Sequence, residues 1–301
     1  MSPSASAYLS TRNVGDTEMT LILEGSGPYP VELNVPEEVW RPAVPDADAD
    51  ANITLYSGGA FLRHGAESIV VDPGLDDPGT PTFEAAKGVF KGWSFTPGFQ
   101  AGLSTLGVSN DSVTHVVVTH AHFDHCLGVT VAQNGGQLPR FPNARDLLDR
   151  ADWNLHFEPD GTMRPVAASP FSSVTIEMRE RLQVIMQAGL LDLVEGDVEV
   201  VPGLTLVPTP GETPGHRAIR IESDGASCWH LGDLVHYAVE FEHIDWLTPT
   251  RRDASAITAS RKRVLPQVVA ENALVTWSHA KFPGWGRIIG AGGGYRWRPL
   301  E

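Results

Sequence analysis

The chain has 301 residues, 42% apolar and 8% aromatic, enough for one large domain or two small ones around a substantial core. Its 37 acidic residues against 22 basic ones give a formal net charge of −15, which argues against a nucleic-acid partner or an anionic membrane and fits a solvated surface. Two cysteines, Cys126 and Cys228, make neither a disulfide framework nor a thiolate zinc site. No apolar run is long enough to span a bilayer, and residues 1–8 lack the basic-then-apolar order of a signal peptide. A soluble, cytoplasmic protein is expected.

Residues 1–50 read as an N-terminal arm packed on the domain, because 25–50 is rich in Pro, Asp and Ala. Strands are expected at 53–56, 60–63 and 68–71. Residues 76–97 read as a loop punctuated by Gly and Pro, yet it carries Phe83, Phe90, Trp93 and Phe95, which is odd for a solvated linker. A helix follows at 99–106, then a β-branched buried strand at 113–118. Residues 172–188 give the clearest helix, with Ser172 and Ser173 as caps and Val174, Met178, Leu182, Ile185 and Met186 on one face. Strand-like runs recur at 204–207, 226–229 and 273–278, and a helix at 253–269 contains Pro266 as the point where it would kink. The Gly-rich run 290–294 lacks the Lys-Ser/Thr of a phosphate-binding loop and reads as a turn. Two batches of strands separated by helices fit a four-layer αββα sandwich, with 51–301 as a single domain.

The strand at 113–118 runs into Thr119-His120-Ala121-His122-Phe123-Asp124-His125. Four groups able to bind a metal fall within six residues, and imidazole and carboxylate suit a borderline divalent cation such as zinc. His120 and His122 face one side in extended chain, and a turn would carry Asp124 and His125 to a second point nearby. His216, Asp233 and His279 each lie where an apolar run gives way to a Gly or Ser turn, the place where a sheet presents functional groups. His64, His115, His156 and His243 read as ordinary core or surface histidines, and Cys126 as a small buried thiol.

These motifs, in this order, resemble the metallo-β-lactamase-fold superfamily: a His-x-His-x-Asp-His run, Pro214-Gly215-His216, Gly232-Asp233 and a final His279, preceded by Asp72 at a strand end. The resemblance implies the αββα architecture and two divalent metal ions, zinc first, with iron, manganese or cobalt as alternatives. It implies that His120, His122 and His216 hold one ion, that Asp124, His125 and His279 hold the other, and that Asp233 bridges them. A shared hydroxide attacking a carbonyl carbon or phosphorus would follow, because paired cations bring bound water towards neutral pKa.

Details narrow the branch. Asp233 departs from β-lactamases proper, and Ser278-His279-Ala280-Lys281-Phe282-Pro283-Gly284 resembles lactonases and methyl parathion hydrolase. Lactonases of this superfamily commonly carry a Tyr three positions after the bridging Asp. Here His236 stands there, with Tyr237 next, so His236 is expected to assist catalysis beside Asp124 and Asp233. Trp93, Phe95, Trp153 and Tyr237 are expected to bind substrate. The expected activity is opening of a lactone or cleavage of a carboxylic ester in a neutral, fairly apolar small molecule. Organophosphate hydrolysis is the alternative; β-lactam hydrolysis and non-catalytic metal binding rank lower. The expected partner is a small-molecule substrate, with a homodimer left open.

Overall fold

The computed structural model describes residues 4–248 and 252–300. Residues 1–3 of the signal-peptide reading, and residue 301 of the expected domain, lie outside the described residues. Strand alternation builds the core first. Phe61 and Leu62, Val70 and Val71, and Val116 and Val117 are consecutive pairs that send one member to each face of a sheet. That sheet runs in the order Leu9–Val14, Thr17–Pro30, Asn52–His64, Glu67–Val71, His115–Val117, Arg145–Asp149 and Leu191–Val194, with Ser94–Phe95 on the side. A second sheet holds Val198–Val201, Leu204–Pro208, Arg217–Ser223, Ala226–His230, Leu274–Thr276, Gly286–Ala291 and Gly294–Pro299.

Three apolar clusters define the layers. Met19, Leu62, Val71 and Val117 meet Leu206, Ile219 and Cys228 between the sheets. Ile22, Phe61 and Val116 meet Phe83, Leu103, Met178 and Leu182 on the outer face of the first sheet. Trp229 and Val275 meet Val264, Leu265 and Val268 of the helix Ala254–Ala270 outside the second. The expected helix–sheet–sheet–helix order is therefore present.

Local differences from expectation have physical reasons. The two strands expected at 53–56 and 60–63 form one strand, because Gly58 and Gly59 let neighbouring backbone pass where a Cβ would lie 2.0 Å from the Ile22 carbonyl oxygen and 1.9 Å from that of Asp72. Residues 9–30 are not an arm: they pair with each other and with Asn52–His64 as part of the first sheet, so residue 50 marks no structural boundary. Inside the expected loop 76–97, a helix Pro81–Val89 begins where Thr80 Oγ1 accepts the Phe83 N–H and Pro81 takes the first turn. The long helix spans Ser172–Gln187, with no side-chain cap; Ser172 stands inside it. Pro266 stands within Ala254–Ala270 without ending it. Gly292 and Gly293, at φ 57° and 93°, make the expected turn of the last hairpin. Among the described residues, no helix is long and apolar enough to cross a membrane.

Glu24 is the fold's conspicuous buried acid. It accepts the Leu75 N–H at 3.0 Å and so pins the turn after Asp72. Burial pushes its carboxyl up to about 8. Below pH 4.5 folded and unfolded chains both hold the proton. Between there and pH 8 the folded chain alone retains it, so stability falls as pH rises. Glu24→Gln should match the parent melting temperature near pH 4.5, gain on it steadily up to pH 8, and hold a constant advantage above. A pH series of thermal melts on both proteins checks this, and parallel curves would refute it.

Candidate metal centre

The sheets deliver their loops to one rim. Two parallel strand ends, Glu67–Val71 and His115–Val117, place Asp72 beside the 119–125 turn. Asp72 has φ 47°, a left-handed position rarely taken by a non-Gly residue. There its Oδ1 accepts the Thr119 N–H at 2.7 Å, while Oδ2 accepts the Thr119 hydroxyl at 2.7 Å and His125 Nδ1 at 2.9 Å. With Nδ1–H committed to Asp72, His125 turns Nε2 into the site. Tyr56 O likewise holds His279 Nδ1 at 2.7 Å, and Thr209 Oγ1 lies 2.8 Å from His216 Nδ1.

The donors converge on Asp233. His279 Nε2 and His236 Nε2 each lie 3.1 Å from its Oδ2, and His120 Nε2 lies 3.7 Å away. His125 Nε2 is 3.6 Å from Oδ1 and 3.8 Å from Asp124 Oδ2. His120 Nε2 and His122 Nδ1 approach to 2.9 Å. Candidate ligand atoms fall into overlapping groups: His120, His122, Glu212 and Asp233; Asp124, His125 and His279; and Asp233, His236 and His279.

Two departures from expectation follow. Glu212 stands with His120 and His122 where His216 was expected, its Oε1 3.5 Å from His122 Nδ1. His216 Nε2 instead accepts the Asp233 backbone N–H at 2.8 Å, an approach possible because Gly232 has no Cβ, which would lie 2.6 Å from that nitrogen. Burial takes His216 down to about 4, so it is neutral and keeps a lone pair. Second, Arg252 Nη2 lies 2.8 Å from His236 Nε2. A guanidinium only donates, so this nitrogen of His236 accepts and carries no proton to give a substrate.

The cluster fits cations. Burial works against charge on His125, yet the carboxylates of Asp233, Asp124 and Asp72 outweigh it and hold the ring well above its ordinary value. Asp233 stays well below the usual carboxylate range against its own burial, mainly through His279 and His125. His125 Nε2 and Asp233 Oδ1 are buried with no hydrogen-bond partner among the described residues, which a bound ion would supply. Only His122 opens widely to solvent, at 42% of its side chain.

The expected substrate-binding aromatics are mostly core. Trp93 donates its indole N–H to Pro28 O at 3.1 Å, Trp153 stacks on Phe157 at 3.9 Å, and Tyr237 donates its hydroxyl to Pro30 O at 3.2 Å; all three are buried. Phe95 is half-buried, edge-on to Phe83. Large apolar rings gain more from the core than from a wet rim, which periodicity alone does not reveal. Sequence reasoning missed Glu212, Arg252 and Asp152. The doubled Thr209-Pro210-Gly211-Glu212-Thr213-Pro214-Gly215-His216 was the available signal for Glu212.

A family model described as the metallo-beta-lactamase superfamily matches residues 59–279. The chain belongs to that superfamily. It is 25% identical over 218 residues to an N-acyl homoserine lactonase of Bacillus cereus, covering 70% of this chain and 76% of that protein. Matches to the Bacillus thuringiensis lactonases span 60% of their length. Among solved structures, the hydrolase AbOPH of the beta lactamase superfamily superposes with a TM-score of 0.79 at 19% identity, covering 98% of both chains. AidC, a dizinc quorum-quenching lactonase in complex with a product, N-hexnoyl-L-homoserine, gives 0.78 at 21% identity, again over 98% of both. These structural likenesses establish the fold.

Asp152 ties the two ligand-bearing loops together. Its Oδ2 accepts the Ala121 N–H at 2.7 Å and the Thr213 hydroxyl at 2.8 Å, and its Oδ1 accepts the Gly215 N–H at 2.7 Å. Asp152→Ala would bury these donors unpaired, at a cost of about 3 kcal/mol or more. Denaturant unfolding should show that loss, with Asp152→Asn recovering part of it. An unchanged midpoint for Asp152→Ala would show that the loops are held by other contacts.

Proposed function

We propose that this superfamily member, a metal-dependent hydrolase, opens neutral, fairly apolar lactones by adding water to the ring ester. The observation that carries the reading is the convergence of imidazoles and carboxylates on Asp233, with His125 Nε2 and Asp233 Oδ1 buried and unpartnered among the described residues. The lactonase activity named for the Bacillus relatives supports the substrate class. So does the net charge of −15, which offers no steering to polyanions.

We assign His120, His122 and His216 to one divalent ion, Asp124, His125 and His279 to a second, and Asp233 to both. His216 joins by exchanging the Asp233 N–H for the ion, which its neutral Nε2 permits. Two such ions supply Lewis-acid polarisation of the ester carbonyl and activation of water. The remaining work belongs to the chain. Asp72 fixes the tautomer and aim of His125, and the Tyr56 carbonyl does the same for His279. Asp152 keeps the His120–His125 turn in register with the His216 loop. His122 and Asp124 are the most exposed of the donors and mark the side from which substrate approaches. Residues 9–30 belong to the catalytic unit in this reading, because they supply two strands of its first sheet.

Metal-analysed protein screened against lactones, aryl esters, phosphotriesters and β-lactams should favour lactones by at least about tenfold in kcat/KM, a modest 1.4 kcal/mol of discrimination. Chelation should abolish that activity, and divalent metal should restore it. A preference for phosphotriesters or β-lactams would overturn the substrate assignment. Active protein free of transition metal would overturn the metal centre.

The ligand set has its own check. Asp233→Ala should lose both ions, because the bridging carboxylate offsets their repulsion. His216→Ala should fall to about one ion per chain, while Glu212→Gln keeps two. Elemental analysis giving the reverse order for His216 and Glu212 would place the carboxylate in the first coordination sphere instead.

A further inference from the structure

Arg252 is set at the metal face by the contacts of the residue that follows it. Asp253 donates its N–H to Gly211 O at 2.9 Å, and its carboxylate caps the helix Ala254–Ala270 through the Ala256 N–H. Gly211 permits this contact: with φ 142°, a Cβ there would lie 2.4 Å from the Ile257 nitrogen. The helix start is thus locked to the turn that carries Glu212, and Arg252 emerges beside that carboxylate.

The guanidinium has its edges divided. Nε pairs with Glu212 Oε2, and Nη2 donates to His236 Nε2 at 2.8 Å. Glu212 reaches His122 with its other oxygen, at 3.5 Å, and His236 lies 3.1 Å from Asp233. Arg252 therefore bridges from the His122 side of the centre to the Asp233 side. Its Nη1 is buried and has no hydrogen-bond partner among the described residues. The side chain is 12% exposed, and that of Glu212 is 2% exposed.

We propose that Arg252 is an oxyanion-binding residue of this site, taking the oxygen that gains negative charge when an ester carbonyl is hydrolysed and that persists in the carboxylate product. A guanidinium keeps its proton at any working pH and matches carboxylate geometry. Glu212 cancels its net charge, so it acts as a directional donor more than as an anion trap. A neutral ester is then bound weakly, while its tetrahedral oxyanion is bound well, the preference a catalyst needs. Because His236 Nε2 accepts from Arg252, the donor at this edge is the arginine, and His236 is a positioning residue that orients it. In the hydrolysis, the bond from water oxygen to the carbonyl carbon forms, the ring C–O bond breaks, and the proton passes to the departing alkoxide. Arg252 stays protonated throughout.

The catalytic consequence rests on the lactonase reading, and the binding consequence does not. Calorimetric titration of hexanoate into metal-loaded protein tests the second. Arg252→Met should bind hexanoate at least tenfold more weakly with both ions retained, and Arg252→Lys should recover part of the loss. Equal affinity in all three proteins overturns the proposal. If Arg252→Met does not fold or loses metal, Arg252→Lys against parent decides alone: a threefold or larger loss supports the proposal, and none overturns it. With a lactone substrate, Arg252→Lys should lower kcat with little change in KM, since the interaction belongs to the transition state. A rise in KM at constant kcat would show ground-state binding and overturn the oxyanion role. A parent that hydrolyses no lactone would sink the lactone reading and leave the hexanoate titration to judge Arg252.

Discussion

Asp233 sets the terms for this structure. Three imidazoles from two other segments of the chain, His120 and His125 from one turn and His279 from another, together with His236 from its own loop, point nitrogen at one buried carboxylate within 3.1–3.7 Å. Groups so alike do not gather without cost: lone pairs repel, and burial penalises any charge they carry. Cations offset both penalties. The carboxylates raise the proton affinities of His125 and His279 despite burial, which shows how strongly this cluster attracts positive charge. The surroundings can be understood as what is needed to keep these donors facing one another.

That support is mainly backbone and second-contact carboxylate. Asp72 and Asp152 accept from main-chain N–H groups on the turns that bear the histidines, so each turn is fixed by its own peptide groups. Glycine permits the close approaches. A Cβ on Gly215 would lie 2.7 Å from Asp152 Oδ1, and one on Gly74 would lie 1.8 Å from Glu24 Oε2. A side chain at either position would push a ligand-bearing loop away from its anchor.

Buried ion pairs hold the outer loops. Arg181 reaches Asp76 at 2.6 Å and the Leu127 carbonyl at 2.7 Å, joining the long helix to the loop after Asp72 and to the chain just beyond the metal turn. Arg217 bonds Asp149, and Arg261 meets Glu240 at 3.1 Å while also donating to Leu234 O. Glu240 in turn accepts the Tyr237 N–H at 3.1 Å and that of His236, which fixes the loop following Asp233. Such pairs contribute little net stability over apolar packing, but breaking one is costly. Here they specify loop position, which a metal site requires to within a fraction of an ångström.

The sequence by itself determined the layer order and the clustering of metal-binding side-chain types at 120–125. Alternation such as Val70-Val71 and Val116-Val117 is a local property of strands. The 120–125 run is local too, so neither needed tertiary information. The long helix and the final Gly292-Gly293 turn were legible for the same reason. Only the tertiary structure decided the rest. Residues 9–30 became sheet because Thr17–Pro30 found a partner in Asn52–His64, which lies outside its own local sequence, and Leu9–Val14 then paired with Thr17–Ile22, which composition cannot report. Trp93 and Trp153 turned to the core because neighbouring rings were there to receive them. Glu212 and Arg252 are 40 positions apart and meet through one bond from Asp253 to Gly211. A pair like that has no periodicity and no spacing; it exists only once the helix has docked.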